Sequence, residues 1–503
     1  MPSSARVCAY TVLRRVFEGG AYADLALRSE ARDLDARDRA LAMRLAYGAV
    51  QRRGTLDYLI ERLAERPVGK LDAPLVAALR LGLHELLYLG GAPDRAVVAD
   101  AVELAKVGGS MGAGTGGGEP RARRPGGSGQ AGVGRGGHGL VNAVLRRATR
   151  EGGALLEALD DSTPRGAALK HSHPEWIAEL WWDALGAERA RALLAFDNEP
   201  AELALRVNTL VADPAAVAAE IPVAVHGDPG IPEALVLEGR WDVHGSRLWR
   251  TGAVLAQSRG AMLPARALDP RAGERVLDLC AAPGGKTTHL AALMGSAGEV
   301  VAVERNPRRA EELRRTVARM RAESVRVVIG DAARPLGDGV RALAAEGPTG
   351  SYGEDAAASA GRDAVGAPAG KELFDRVLVD PPCSGLGTLQ ARADLRWRVG
   401  PRDVAQLARA QTAILAAGAQ ALRPGGVLVY STCTISPTEN ERQISTFLES
   451  NPDFTLDDLG AGLMDSPPVP PATGPHAVKA RCVLTLPHRD HTAGFFIARL
   501  RRG

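Results

Sequence analysis

Cysteine is scarce in this chain of 503 residues. There are five, Cys8, Cys280, Cys383, Cys433 and Cys482, odd in number and widely spaced, with no C-x-x-C pair among them. That pattern excludes a disulfide framework and a zinc ribbon. Long apolar runs are missing too: no stretch approaches the roughly 18 uninterrupted apolar residues of a membrane span. The opening MPSSARVCAYTVLRRVFEGG places arginines where a signal peptide needs an apolar core of about 7–15 residues. A cytoplasmic protein without a membrane partner is expected. Excess charge of one sign is also absent, since 62 Lys and Arg against 59 Asp and Glu leave +3, and only clustered charge marks a nucleic-acid footprint. Gly (58) and Pro (32) are plentiful but follow no Gly-X-Y period, which excludes collagen and points to local low complexity. What remains is ordinary: 45% hydrophobic and 24% charged residues, enough for real cores in two to four domains of roughly 100–200 residues each.

Residues 1 to about 107 carry helical periodicity. Leu56, Leu59, Ile60 and Leu63 fall at i, i+3, i+4 and i+7, and Leu79, Leu83, Leu86 and Leu87 at i, i+4, i+7 and i+8, so each set forms one apolar stripe of a helical bundle. Over 108–139 the pattern stops, because 15 of those 32 residues are Gly. So little apolar surface cannot offset the entropy of ordering the backbone, and the segment reads as a disordered insertion. LVNAVLRRATRE then resumes an amphipathic helix with Arg146, Arg147 and Arg150 on its polar side. The insertion therefore interrupts one domain. Between about 160 and 255, HSHPEWIAELWW reads as a Pro turn running into a helix and LALRVNTL as a strand with turn chemistry, together a small α+β module. His171 and His173 lack Cys or acidic partners at ligand spacing and read as a solvated turn, with no metal.

From 272 onward strands and helices alternate. ERVLDLC, EVVAVE, SVRVVIG, FDRVLVD and GGVLVYS are β runs, with helices over GKTTHLAALM and 307–322; such alternation predicts an α/β domain with a parallel sheet covered on both faces. A loose insertion over 337–370 loops out between the third and fourth runs. Ligands of such sheets bind beyond the carboxyl ends of the strands, and every distinctive cluster falls there. CAAPGGK (280–286) follows the first run, Glu304 ends the second, Asp331 follows the third, Asp380-Pro-Pro-Cys383 the fourth and Ser431-Thr432-Cys433 the fifth. Gly284 and Gly285 open a helix whose free N–H groups can face a ligand closely. Glu304 follows Gly285 by 19 residues, near the spacing at which an acid meets ribose hydroxyls, so an adenosine-containing cofactor is implied. The loop after the first run, CAAPGGK, is not the G-x-G-x-x-G fingerprint, which disfavours nicotinamide and flavin. A P-loop would need glycine where Cys280 stands. A thiol is the best nucleophile at neutral pH, and Cys383 and Cys433 both lie on this rim.

The block from about 272 to 450 resembles the RNA cytosine-carbon-5 methyltransferases of the Nol1/Nop2/Sun family, through VLDLCAAPGGKT, DPPCSG and YSTCT. The front of the chain is similar to the NusB-like helical domain that precedes the catalytic part in one group of that family, with GLVNAVLRR as its final helix, and HPEW, LRVNTL and AGFFIARL fit the same group. The resemblance implies a NusB-like RNA-binding domain over 1–155, a small α+β linking module over 156–255 and a class I (Rossmann-like) methyltransferase domain over 256–503. It implies S-adenosyl-L-methionine as cofactor, held by Cys280, Ala281, Ala282, Pro283, Gly284, Gly285, Lys286, Glu304 (where Asp is commoner), Asp331 beside the adenine, and Asp380 near methyl donor and base. Cys433 corresponds to the nucleophile and Cys383 to the cysteine that helps release product. The implied partner is RNA, a loop or unstacked nucleotide of 16S rRNA and not DNA, bound by a monomer. Two departures stand out: QSRGA at 257–261 replaces an acidic Q-D stretch, and TLQARADL lacks an Arg-x-Pro-Asp pattern. Helix 141–150 and the Arg-rich ARADLRWR (391–398) are the candidate RNA surfaces. Methylation of tRNA or large-subunit rRNA, and a non-catalytic RNA-binding or antitermination factor, are the alternatives.

Overall fold

The computed structural model describes residues 1–111, 137–334, 373–459 and 477–503. They form two compact units, one made of Met1–Pro200 with Leu389–Val399, the other of Ala201–Thr388 with Gly400–Gly503.

The first unit is helical throughout its described residues. Its helices begin where a short polar side chain can cap them: Ser3 accepts from Arg6 N at Ser4–Phe17, Asp35 from Asp38 N at Ala36–Gln51, and Thr163 from Gly166 N at Pro164–Lys170. The predicted leucine stripe on Arg53–Ala64 is buried at all four positions. On Ala73–His84, Leu79 and Leu83 are buried, while Leu86 and Leu87 belong to a π-helical turn, Glu85–Leu89, that ends the helix and leaves them half-buried. The helix Gly137–Glu157 turns Val141, Val144, Leu145 and Ala148 into the same core. Helical structure runs to Met111 and resumes at Gly137, inside the margins of the loose segment expected over 108–139. The remainder of that segment, and all of 337–370, lies outside the described residues.

The second unit carries two sheets. β1 (Ala204–Val207), β2 (Val225–Asp228), β3 (Ile231–Leu237) and β4 (Val254–Ala256) form an antiparallel sheet in the order β2-β3-β1-β4. β5 (Arg275–Leu279), β6 (Glu299–Glu304), β7 (Val325–Ile329), β8 (Phe374–Val379) and β9 (Leu422–Thr432) are mutually parallel in the order β9-β8-β5-β6-β7. This is the parallel sheet that the apolar runs predicted. The sheet is nevertheless mixed, because β10 (Phe454–Leu456), β11 (Val483–Leu484) and β12 (Phe496–Arg502) extend it beyond β9 as antiparallel strands. β12 adds Phe496, Ala498 and Leu500 to one apolar layer and Ile497 to the other, so β9 is buried on both faces instead of forming an edge. Among the described residues no helix is long and apolar enough to cross a membrane.

Packing in the helical unit is tight enough to test. Gly48 faces the buried ring of His84, and a Cβ there would lie 2.1 Å from His84 Nε2. Gly48→Ala should lower the stability of the helical unit by about 1–3 kcal/mol, since neither buried helix can yield cheaply. Thermal melting of the whole protein checks this, and an unchanged first transition would refute it.

Candidate active site

The register of the parallel strands decides where the chemistry-bearing residues lie. Tyr430, Val379, Leu279, Val303 and Val328 are paired in one row across β9, β8, β5, β6 and β7. One residue further along each of the first four strands stand Ser431, Asp380, Cys280 and Glu304, so four chain segments meet at one sheet edge. The strand order turns back at β5, with β6 on one side and β8 on the other, which makes this edge the switch point where open α/β sheets bind ligands.

The loop after β5 is fixed by its own backbone. Cys280 and Gly284 adopt positive φ of 67° and 103°, Ala281 N donates to Val303 O (2.9 Å), and Gly284 N donates to Ala281 O (2.9 Å). A side chain at Gly284 would meet Leu313 Cδ1 at 2.8 Å, so glycine is required for space as well as conformation. The helix Gly285–Leu293 starts there. Arg206 of β1, fully buried, donates to Gly285 O (2.8 Å) and to Thr288 Oγ1 (2.7 Å), bolting that first turn to the small sheet. Burial lowers the guanidinium to about 9. Nothing in LALRVNTL distinguished this strut from a surface arginine.

Acidic groups cluster around the loop. Lys286 Nζ lies 2.7 Å from Asp380 Oδ2, and Ser431 Oγ donates to Asp380 Oδ1 (2.9 Å). Burial works against the Lys286 charge, but Asp380 outweighs it and leaves the ammonium above its ordinary value. Glu304, buried at the tip of β6, accepts from Asn306 N (2.8 Å) and lies 3.5 Å from Arg309. Asp331 is exposed and accepts from Ala333 N (3.1 Å). Asp278, inside β5, is buried and accepts from Thr287 Oγ1 (2.6 Å). Burial, helped by nearby Asp380, pushes its carboxyl up to about 7.

The two rim cysteines stand side by side, with Cys383 Sγ 3.3 Å from Cys433 Sγ. Both are half-buried, and none of the five cysteines is in a disulfide. The bond to Cys433, then burial, then the charges of Cys433, Glu439 and Asp380 drive the Cys383 thiol well above its usual range. Cys280, also on the rim, is pushed up to about 12 by burial and by Asp380, Asp278 and Glu304, so it is a poor nucleophile.

Two sequence expectations are corrected. ARADLRWR is not a free basic surface: Arg396 is fully buried in the first unit, donating to Ser172 O (3.2 Å), Asn198 Oδ1 (2.9 Å) and Asp197 O (2.9 Å). Arg398 pairs with Asp394 and lies over the Tyr22 ring, which leaves Arg392 as the exposed arginine. The guanidinium serves buried carbonyls, a use that an arginine count cannot reveal. His171 and His173 do not occupy a solvated turn, since His173 is buried with Nε2 3.8 Å from Asp197 and His171 lies 3.1 Å from Asp161. No group of three or more metal-ligating side chains occurs among the described residues. On the helix Gly137–Glu157, Arg146 and Arg150 are exposed, whereas Arg147 is paired with Glu65 and Glu151.

Comparison with known proteins agrees with this architecture. The model of the 16S rRNA methyltransferase RsmB/F family matches residues 265–342 and 357–501, that of the NusB family residues 3–114, and a ferredoxin-like domain of RsmF/B-like methyltransferases residues 173–244. A probable ribosomal RNA small subunit methyltransferase B from Synechocystis is 33% identical over 99% of both chains. The chain belongs to the 16S rRNA methyltransferase RsmB/F family. A second probable methyltransferase B, from Bacillus subtilis, is 32% identical over 99% of both chains. The solved structure of PH0851 shares the fold, with a TM-score of 0.75 at 24% identity over 100% of this chain and 99% of that one. The RsmB/F family thus accounts for the NusB helical unit and the Rossmann-like sheet together.

The Asp278 proton gives this family member a testable pH dependence. Unfolded Asp278 titrates near 3.9, so between pH 4 and about 7 the native state holds a proton that the unfolded state has lost. Stability therefore falls as pH rises through that window and levels off above it. Asp278→Asn, neutral throughout, should gain on the wild type from pH 4 to 7 and then run parallel to it. Urea midpoints at pH 4.5 and 8 read the difference, and a constant offset would contradict it.

Proposed function

We propose that the protein methylates carbon 5 of a cytosine in 16S rRNA, using S-adenosylmethionine and a transient covalent bond from Cys433 to the base. The observation that carries this reading is the pair of sulfurs 3.3 Å apart, beside Asp380 at the switch point of the sheet. The names of the relatives, rRNA small subunit methyltransferases, support the substrate.

The donor set suits the cofactor. Carboxylates at the tips of β6 and β7 can accept from ribose hydroxyls and an adenine amine, and an acidic surround favours a cation over an anion. Cys280, Ala281, Ala282, Pro283, Gly284, Gly285 and Lys286, with Glu304, Asp331 and Asp380, would hold it. Bound S-adenosylmethionine supplies an electrophilic methyl group on a sulfonium sulfur.

Cytosine carbon 5 is a weak nucleophile, and the thiolate of Cys433 changes that by adding to carbon 6. The new S–C bond moves the C5–C6 electron pair onto carbon 5 and breaks the ring conjugation. As negative charge develops at ring nitrogen 3, that nitrogen takes up a proton from solvent, and Asp380, held by Lys286 and Ser431, accepts the hydrogen bond from the new N–H. Once carbon 5 bears the methyl, its proton passes to solvent, the electron pair returns to C5–C6 and the Cys433 sulfur is expelled as thiolate. Cys383, whose sulfur lies 3.3 Å from that of Cys433, assists this departure.

The target must leave its stack to reach such a rim, which favours a loop or unstacked nucleotide. The NusB-family helical unit supplies the RNA-binding part, with Arg146 and Arg150 as exposed contacts. The protein acts as a monomer in the cytoplasm, where small subunits are assembled.

The cysteines should fail differently. Cys433→Ala is expected to bind cofactor and lose turnover, whereas Cys383→Ala accumulates a protein–RNA adduct that survives denaturing electrophoresis. An adduct with Cys433→Ala instead would reverse the roles. Bisulfite sequencing of 16S rRNA from cells lacking the gene should show one converted cytosine that wild-type cells protect, and unchanged 16S rRNA would reject the substrate.

A further inference from the structure

Behind the two sulfurs lies a buried polar knot that the proposed chemistry does not use directly. Ser384 follows Cys383 and Thr434 follows Cys433, and these two hydroxyls are hydrogen-bonded to each other at 2.6 Å. The carboxylate of Glu439, fully buried, gathers the knot: its Oε1 accepts from Ser384 N (2.8 Å) and from Gln411 Nε2 (3.0 Å), and its Oε2 accepts from Ser384 Oγ. Gln411 also donates to Pro382 O (3.0 Å), so the residue before Cys383 and the residue after it are tied to one point. Tyr430 OH donates to Glu439 O (2.7 Å) and Gly387 N donates to Cys433 O (3.0 Å). On the far side, Asn440 accepts from Thr432 Oγ1 (2.6 Å) and donates to Thr434 O (2.9 Å), which pins the residues flanking Cys433.

A buried carboxylate is costly unless its lone pairs are filled, and here the donors that fill them are neutral. No arginine or lysine pairs with Glu439 among the described residues. The arrangement spends a buried charge on holding two loops together. We propose that Glu439 is a positioning residue that locks the Cys383 loop to the Cys433 loop and so sets the distance between the two sulfurs. This rests on the two-cysteine reading above and names what makes that pair a pair. Without the lock the loops are joined chiefly by the Ser384–Thr434 and Gly387–Cys433 bonds, and each sulfur can drift. The negative charge also acts on Cys383 directly, as one of the groups that keep its proton on.

The test reads sulfur proximity without requiring RNA. Phenylarsine oxide bridges two thiols only when they are close, so the full-length wild type should bind it and lose two titratable thiols, and Cys433→Ala and Cys383→Ala should not. Glu439→Ala is expected to lose that capture while both thiols still react with iodoacetamide and S-adenosylhomocysteine still binds as in the wild type. Its kcat for RNA methylation should fall by about 100-fold, the cost of a misplacement on the order of 1 Å, with KM for the cofactor unchanged. Glu439→Gln, which keeps one oxygen for Ser384 N and Gln411, should restore most of the capture and of kcat. Should Glu439→Ala fail to fold, Ser384→Ala carries the test, since it removes both hydroxyl bonds and keeps the backbone one. Capture retained in the Ala variants, or kcat equal to wild type, overturns the proposal. Wild-type capture without methylation of any rRNA would leave the lock standing and reject the functional reading instead.

Discussion

Parallel strand register is the constraint on which the catalytic half of the molecule depends. Because β9, β8, β5, β6 and β7 run the same way and pair in one row, their carboxyl ends must emerge at a common edge. Residues as distant in sequence as Cys280 and Asp380 become neighbours there without any specific attraction between them. A slip of one residue in β8 would turn Asp380 to the opposite face and separate it from both Lys286 and Ser431. The apolar rows behind the edge make such a slip expensive, so the geometry of the polar rim is enforced by the hydrophobic layers beneath it.

Burial then gives similar groups different properties. Three cysteines lie near the rim, yet Cys280 is raised by burial and acidic neighbours, and Cys383 chiefly by its bond to Cys433. Two aspartates on neighbouring strands, two residues apart in register, differ likewise: Asp278, inside the strand, is driven up to about 7, whereas Asp380 is tied to an ammonium and a hydroxyl. The same principle operates in the helical unit, where burial lowers His84 to about 3 and raises Asp197 to about 7. Chemistry is assigned by surroundings rather than by residue type.

Much of this was legible before any coordinates. Apolar runs of five to seven residues separated by helical segments could be nothing but a covered parallel sheet, and the distinctive residues all followed those runs. The leucine periods of the helical bundle were equally plain, except at Leu86 and Leu87, where a π-turn alters the helical phase. Less visible were buried polar partnerships. ARADLRWR looked like a basic surface because an arginine that serves internal carbonyls has the same letter as one that faces water, and nothing local to Glu439 marks it as a buried tie. AGFFIARL carries no local sign that it runs antiparallel beside β9.

The sequence by itself determined the element types, the helical front and α/β back, the loop glycines, and the identity of the two rim cysteines. These follow from short-range rules, periodicity and steric freedom, which act within a few residues. Tertiary structure alone decided that the sulfurs stand 3.3 Å apart and that Arg206, Arg396 and Glu439 are internal struts. Those outcomes depend on distance and on dielectric surroundings, and neither exists until segments 50 to 224 residues apart have been brought together.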